Sequence, residues 1–208
     1  MKKVFNLIVV DESGSMSVIK RQALAGMNET IETIKAMQKQ HEEMEQRITL
    51  ITFDSTHTNF IFNNAPADSA HPLKDKDYNP CGATPLYDAI GQGVTRLFAL
   101  VGEEDHVLVT IITDGMENAS QEYSLEMVKS LIKKLEKQNW TFSLIGTDNL
   151  DVEIMAYDMN IQNHLSFKED AEGTEEMFMK ERVCRMEYNR KVSACEALDE
   201  GGYFHPDK

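Results

Sequence analysis

Residues 4–15 read Val4-Phe5-Asn6-Leu7-Ile8-Val9-Val10-Asp11-Glu12-Ser13-Gly14-Ser15. The first part is an apolar run interrupted only by Asn6, and it does not alternate with polar residues. Such a run suits a strand covered on both faces, as in a parallel sheet. Asp11 ends it, and Ser13-Gly14-Ser15 supplies a turn rich in helix-capping residues. From about 17 to 44 the period changes: Leu24, Met27, Ile31, Ile34 and Met37 fall on one helical face. Strand, tight turn and helix in that order open an α/β unit.

The rest of the chain repeats the alternation. Ile48-Thr49-Leu50-Ile51-Thr52-Phe53 is a second strand, and Thr58-Asn59-Phe60-Ile61-Phe62 follows too closely for a crossover helix. That pair is expected to form an antiparallel hairpin. Residues 63–83, with Pro66, Pro72, Pro80 and Gly82, read as a long loop, a kind usually functional or disordered. Thr84-Pro85 is expected to cap and open a helix with core face Leu86, Ile90, Val94, Leu97 and Val101. Strands are expected at 107–112, 140–146 and 164–167. Helices are expected at about 124–138, 151–159 and 174–198. The pattern predicts a doubly wound α/β sheet with helices on both faces. One domain over residues 1–200 is expected, with its core at about 3–167 and a C-terminal helix near 170–199. Residues 201–208 read as a flexible tail.

Composition narrows the function. The 208 residues carry 21 Lys and Arg against 35 Asp and Glu, a net charge of −14. That charge disfavours binding to nucleic acid or to an anionic membrane. Apolar runs such as Leu7–Val10 are too short to cross a bilayer. Lys2-Lys3 before an apolar run imitates a signal peptide, but Asn6, Asp11 and the lack of a small-residue cleavage site argue for a strand. Cys81, Cys184 and Cys195 form no even framework and read as free thiols in a reducing cytoplasm.

Asp11, Ser13 and Ser15, then Thr84, then Asp114 lie at the carboxyl ends of strands or the starts of the following helices. In an open α/β sheet that edge binds ligands, where strand order reverses. If the first strand neighbours the 107–112 strand there, Asp11 and Asp114 share one crevice. Two carboxylates and three hydroxyls form an oxygen-only set, suited to Mg²⁺ or Mn²⁺ rather than Zn²⁺. Neutral hydroxyls in direct contact would leave the ion electrophilic, ready for an anionic ligand from outside.

These residues resemble a known pattern. Asp11-x-Ser13-x-Ser15, Gly82-Ala83-Thr84-Pro85-Leu86-Tyr87-Asp88-Ala89-Ile90 and Ile112-Thr113-Asp114-Gly115 look like the metal-ion-dependent adhesion site of von Willebrand factor A domains. The resemblance covers roughly residues 3–167 and is closest to the free-standing intracellular bacterial members. It implies a Rossmann-like, mostly parallel sheet with one antiparallel edge strand. It implies that Ser13 and Ser15 bind the metal directly, that Thr84 does so directly or through water, and that Asp11 and Asp114 act largely through water. It further implies a protein partner supplying an Asp or Glu side chain, a last helix able to shift on ligand binding, and no catalytic reaction.

Plainer readings stand beside this one. Asp11 and Asp114 could merely cap turns, and Thr84 a helix. A metal-dependent hydrolase or phosphotransferase is the functional alternative, although no Walker loop, H-E-x-x-H or G-x-S-x-G accompanies the acids. A scaffold without metal is a third reading. Glu12 and Glu117 read as solvated carboxylates, and Cys81 as an ordinary loop residue. The acid-rich stretch 148–182 reads as a solvated face, or alternatively as a surface that meets a basic partner. Cys184, Tyr188, Val192 and Cys195 read as a buried stripe of the last helix or a dimer seam.

Overall fold

The computed structural model describes residues 1–198 and 202–204. Six strands form one sheet: β1 (Lys2–Asp11), β2 (Met44–Asp54), β3 (His57–Pro66), β4 (His106–Thr113), β5 (Trp140–Thr147) and β6 (Asn163–Phe167). Their order is β3-β2-β1-β4-β5-β6. All pairings are parallel except β2 with β3, the hairpin at one edge. The helices are α1 (Lys20–Gln40), α2 (Leu86–Phe98), α3 (Leu125–Leu135), α4 (Val152–Met159) and α5 (Ala171–Ser193).

β1 shows why the opening run lacks alternation. Val4, Ile8 and Val10 enter the core beneath α1 and α5, whereas Phe5, Leu7 and Val9 enter the core beneath α2, α3 and α4. Both faces are covered, so every position from Val4 to Val10 but one is apolar. Each such side chain contributes about 1.5–3 kcal/mol on leaving water.

The exception is Asn6, which is fully buried and faces α5. It joins a closed polar ring. Arg185 Nη1 donates to Asn6 Oδ1 (2.7 Å) and Asn6 Nδ2 to Gln46 Oε1 (3.0 Å). Gln46 Nε2 donates to Asn189 Oδ1 (2.7 Å), and Asn189 Nδ2 to the Arg185 carbonyl (2.9 Å). Arg185 also binds Glu181 Oε1 through Nε (2.9 Å) and Thr110 Oγ1 through Nη2 (2.8 Å). α5 is thus fastened to β1, β2 and β4 by buried hydrogen bonds as well as by apolar contact. Against α1 it packs closely: a β-carbon at Gly26 would stand 2.0 Å from the Phe178 ring.

Some boundaries differ from those read in the sequence. β2 begins at Met44 and α1 ends at Gln40, because Gln46 is buried as a strand residue with partners far along the chain. α5 runs from 171 to 193, earlier at both ends than 174–198. The stretch expected to be a tail from 201 is not loose throughout: Tyr203 and Phe204 are buried, and Tyr203 OH donates to Glu181 Oε1 (2.9 Å). The remainder of that stretch, 201 and 205–208, lies outside the described residues. Among the described residues no helix is long and apolar enough to cross a membrane.

Candidate metal centre

The strand order reverses between β1 and β4, which pair directly with Val10 opposite Ile112. Asp11 and Asp114 therefore emerge side by side at the carboxyl edge of the sheet. The condition set by the sequence, that these two strands be neighbours, is met.

The turn after β1 brings the serines into the crevice. Ser13 N–H donates to Asp11 Oδ1 (2.7 Å), folding residues 11–13 into a tight Asx turn. Ser13 Oγ and Ser15 Oγ lie 3.2 Å apart, and Ser15 Oγ donates to Asp114 Oδ1 (2.8 Å). Three oxygens from two strand ends thus form a continuous chain. Among the described residues Asp114 Oδ2 is buried without a hydrogen-bond partner, an arrangement that costs free energy unless something compensates it.

Thr84 arrives from the loop before α2. Its N–H donates to Asn118 Oδ1 (2.8 Å), and its carbonyl accepts from Asn118 N (3.1 Å). This clamp makes Thr84 part of the crevice wall. It does not cap α2: Pro85 holds the cap position with no side-chain cap bond, and the helix starts at Leu86. The competing use of the hydroxyl is therefore absent. Gly115 opens the approach, since a β-carbon there would stand 2.9 Å from Thr84 Oγ1 and 3.6 Å from Asp11 Oδ2. The loop itself is tied to the serine turn, with Cys81 N–H donating to the Glu12 carbonyl (2.8 Å) and Gly14 N–H to the Gly82 carbonyl (3.1 Å). Gly82 has φ +69°, and a β-carbon on it would collide with Ser55 Oγ at 2.5 Å.

The two acids have different surroundings. Asp11 has both oxygens engaged, by Ser13 N–H and by Thr113 Oγ1 (2.6 Å). Burial raises its pKa, with those donors opposing the rise. Asp114 has the Ser15 hydroxyl as its donor, and burial pushes it up to about 6, with the negative charges of Asp11 and Glu169 adding to the rise. An anionic oxygen held in this way favours a nearby cation.

All five residues expected from the sequence thus lie at one edge of the sheet: hydrogen bonds join Asp11 to Ser13 and Ser15 to Asp114, Ser13 and Ser15 hydroxyls meet, and Thr84 Oγ1 and Asp11 Oδ2 both border the space beside Gly115. The donor set fits a hard divalent cation: two carboxylates, three hydroxyls and one unpartnered buried oxygen. Among the described residues no group of three His, Cys, Asp or Glu side chains gathers in a metal-binding arrangement, so a cation here would depend on hydroxyl oxygens.

Two sequence expectations are corrected. Glu12 is not solvated: it is 3% exposed, and its Oε1 accepts from Asn79 N–H. Glu117 is not a free charge either. Its carboxylate accepts from Tyr87 N (3.0 Å), Ala119 N (2.8 Å), Ser120 N (2.7 Å) and Ser120 Oγ (2.7 Å), locking the 117–120 turn onto the start of α2. Cys81 is exposed, but its thiol donates to Asp54 Oδ2 (3.1 Å), which raises its pKa. Sequence reasoning missed Thr113, Asn118 and Tyr78, whose buried OH donates to the Asp11 carbonyl (2.6 Å). Of these, Thr113 carried a usable signal, a hydroxyl at a strand end beside Asp114.

No protein-family model and no curated protein matches the sequence. Solved structures match at low identity. The vWF domain of the type V pili tip protein Mfa5 from Porphyromonas gingivalis superposes with TM-score 0.61 at 10% identity, covering 96% of this chain and 98% of that one. The SpRpn10 VWA domain gives 0.58 at 12% identity, covering 86% and 94%. The PilB minor pilin from Streptococcus sanguinis gives 0.62 at 13% identity, covering 95% of this chain. The chain spans 64% of that pilin and 46% of proximal thread matrix protein 1 from the mussel byssus. The fold is that of von Willebrand factor A domains: a mostly parallel six-stranded sheet with one antiparallel strand and helices on both faces.

Proposed function

We propose that this chain is a metal-dependent protein-interaction module. Mg²⁺ or Mn²⁺ is held by Ser13 and Ser15, with Thr84 completing the hydroxyl set and Asp11 and Asp114 acting through water. When bound, the ion supplies a Lewis-acidic position that accepts an Asp or Glu carboxylate from a partner protein. The observation that carries this reading is the oxygen chain from Ser13 through Ser15 to Asp114, ending in a buried carboxylate oxygen that lacks a partner. Asp11 orients the serine turn. Thr113 and Tyr78 hold Asp11 in turn.

The module is read as a binder rather than an enzyme. Both Asp11 oxygens are already occupied by donors, which leaves that acid poorly placed as a general base. The three free thiols are in keeping with a reducing, cytoplasmic setting.

The test is titration calorimetry with Mg²⁺ and Mn²⁺ on chelator-treated protein, with and without acetate as a carboxylate mimic. Acetate is expected to tighten metal binding in the wild type, and Ser13→Ala to abolish both effects. Phosphatase turnover that requires the metal and is lost in Asp11→Ala would overturn the binding-module reading in favour of a hydrolase.

A further inference from the structure

The C-terminal helix carries apolar residues on two opposite faces. Its inward face, with Met177, Phe178, Cys184, Tyr188 and Val192, is buried in the core. Cys184, Tyr188 and Val192 are therefore unavailable as a seam between molecules, although the sequence allowed one there. The outward face carries a second row. Met179 is 54% exposed, Val183 59% and Met186 40%. Spacings of four and three residues place these three in one line along the helix. At 100° per residue, exposed Glu176 and Arg190 continue the same line beyond its two ends.

Read outward, the row is Glu176, Met179, Val183, Met186, Arg190. Val183 is its midpoint, and Glu176 and Arg190 each stand seven residues from it, or about 10.5 Å along the axis. A two-fold axis at Val183 sets Val183 on Val183 and Glu176 on Arg190 twice over, and it brings Met179 and Met186, four and three residues from the axis, side by side one residue out of exact register. A parallel pairing would instead set Glu176 on Glu176 and Arg190 on Arg190.

From this self-complementary pattern we infer that the outer face of α5 is a homodimer interface, occupied by a second copy of this chain in antiparallel register. The inference is independent of the metal reading. Isologous pairing of this kind is the commonest symmetry of soluble oligomers. Arg190 already meets Glu187 (2.9 Å) and Glu196 (2.7 Å) at the surface, and exposed pairs of that kind are readily exchanged. One helix pair buries a small area, so the dimer is expected to be weak. The net charge of −14 on each copy opposes association at low salt, so physiological ionic strength favours it.

The experiment is sedimentation equilibrium on the full chain across concentration. Four proteins are run: wild type, Val183→Asp, Glu176→Arg and Arg190→Glu, together with an equimolar mixture of the last two. The wild type is expected to dimerise, and Val183→Asp to stay monomeric with an unchanged circular dichroism spectrum and melting temperature. Each charge variant alone sets like charges at both ends of the row and weakens dimerisation about tenfold. The mixture restores opposite charges at both ends and should recover near wild-type association. A wild type monomeric at about 500 µM, or a dimer that survives Val183→Asp, overturns the proposal. A mixture no tighter than its components overturns the antiparallel register.

Discussion

Replacing Asp114 by Asn removes a buried negative charge with little change in size. The carboxyl is raised from 3.8 to about 6, first by burial and then by the charge of Asp11. A folded-state pKa above the unfolded one means that the folded protein binds more protons between the two values. Its contribution to stability is present in full below about pH 4 and is lost as pH rises through about 6. The loss amounts to about 3 kcal/mol when the difference between the two pKa values is converted at 1.36 kcal/mol per unit. Asn avoids that penalty and keeps an acceptor for Ser15 Oγ, but it leaves a neutral amide in place of the unpartnered Oδ2. In chelator at pH 7.5 the variant is therefore expected to be more stable than wild type by about 1–3 kcal/mol. The gain should vanish by about pH 4. Urea unfolding across this range measures it. A variant less stable than wild type at pH 7.5 in chelator, or a difference independent of pH, would refute the reasoning.

Other consequences are equally measurable. With Mg²⁺ at about 100 times its dissociation constant, wild type should gain about 2.7 kcal/mol of stability, while Asp114→Asn and Ser13→Ala gain little. Equal gains in all three would place the ion elsewhere. Arg185→Met should cost about 3–5 kcal/mol, because it leaves Glu181 buried without its cation and Asn6 without its donor. A cost below about 1 kcal/mol in denaturant titration would show that the polar ring does not fasten α5. Gly26→Ala should cost about 1–3 kcal/mol, since its new methyl meets the Phe178 ring. Adding Phe178→Leu should recover part of that, and a neutral Gly26→Ala would contradict the close packing of α1 on α5.

The sheet was legible in the sequence because a strand covered on both faces leaves an apolar run without alternation, broken only by Asn6 in β1 and by Thr110 in β4. The candidate site residues could be picked out because Asp11, Ser13, Ser15 and Asp114 fall at or just after strand ends and Thr84 just before α2, and the topology gathers these points at one edge of the sheet. What escaped was stabilised by partners remote in sequence. Gln46 falls between the helix and the strand expected from the sequence, yet it lies inside β2, where its partners are Asn6 and Asn189, the latter 143 residues away. Glu117 reads as a free charge until the start of α2, thirty residues earlier, is seen to donate to it. Thr84 reads as a helix cap because local pattern does not reveal that Asn118 holds its backbone. Arg185 breaks the apolar period of α5, and only the fold supplies the carboxylate and amide that make its burial tolerable.

On the proposed function, the carboxyl ends of β1 and β4 hold one divalent cation. Titration of the folded, chelator-treated chain into Mn²⁺, followed by the electron paramagnetic resonance signal of the free ion, tests it most directly. The signal should fall by one equivalent per chain, return on addition of excess Mg²⁺, and stay unchanged with Asp114→Ala. A free-ion signal undiminished by well-folded wild type would contradict the account.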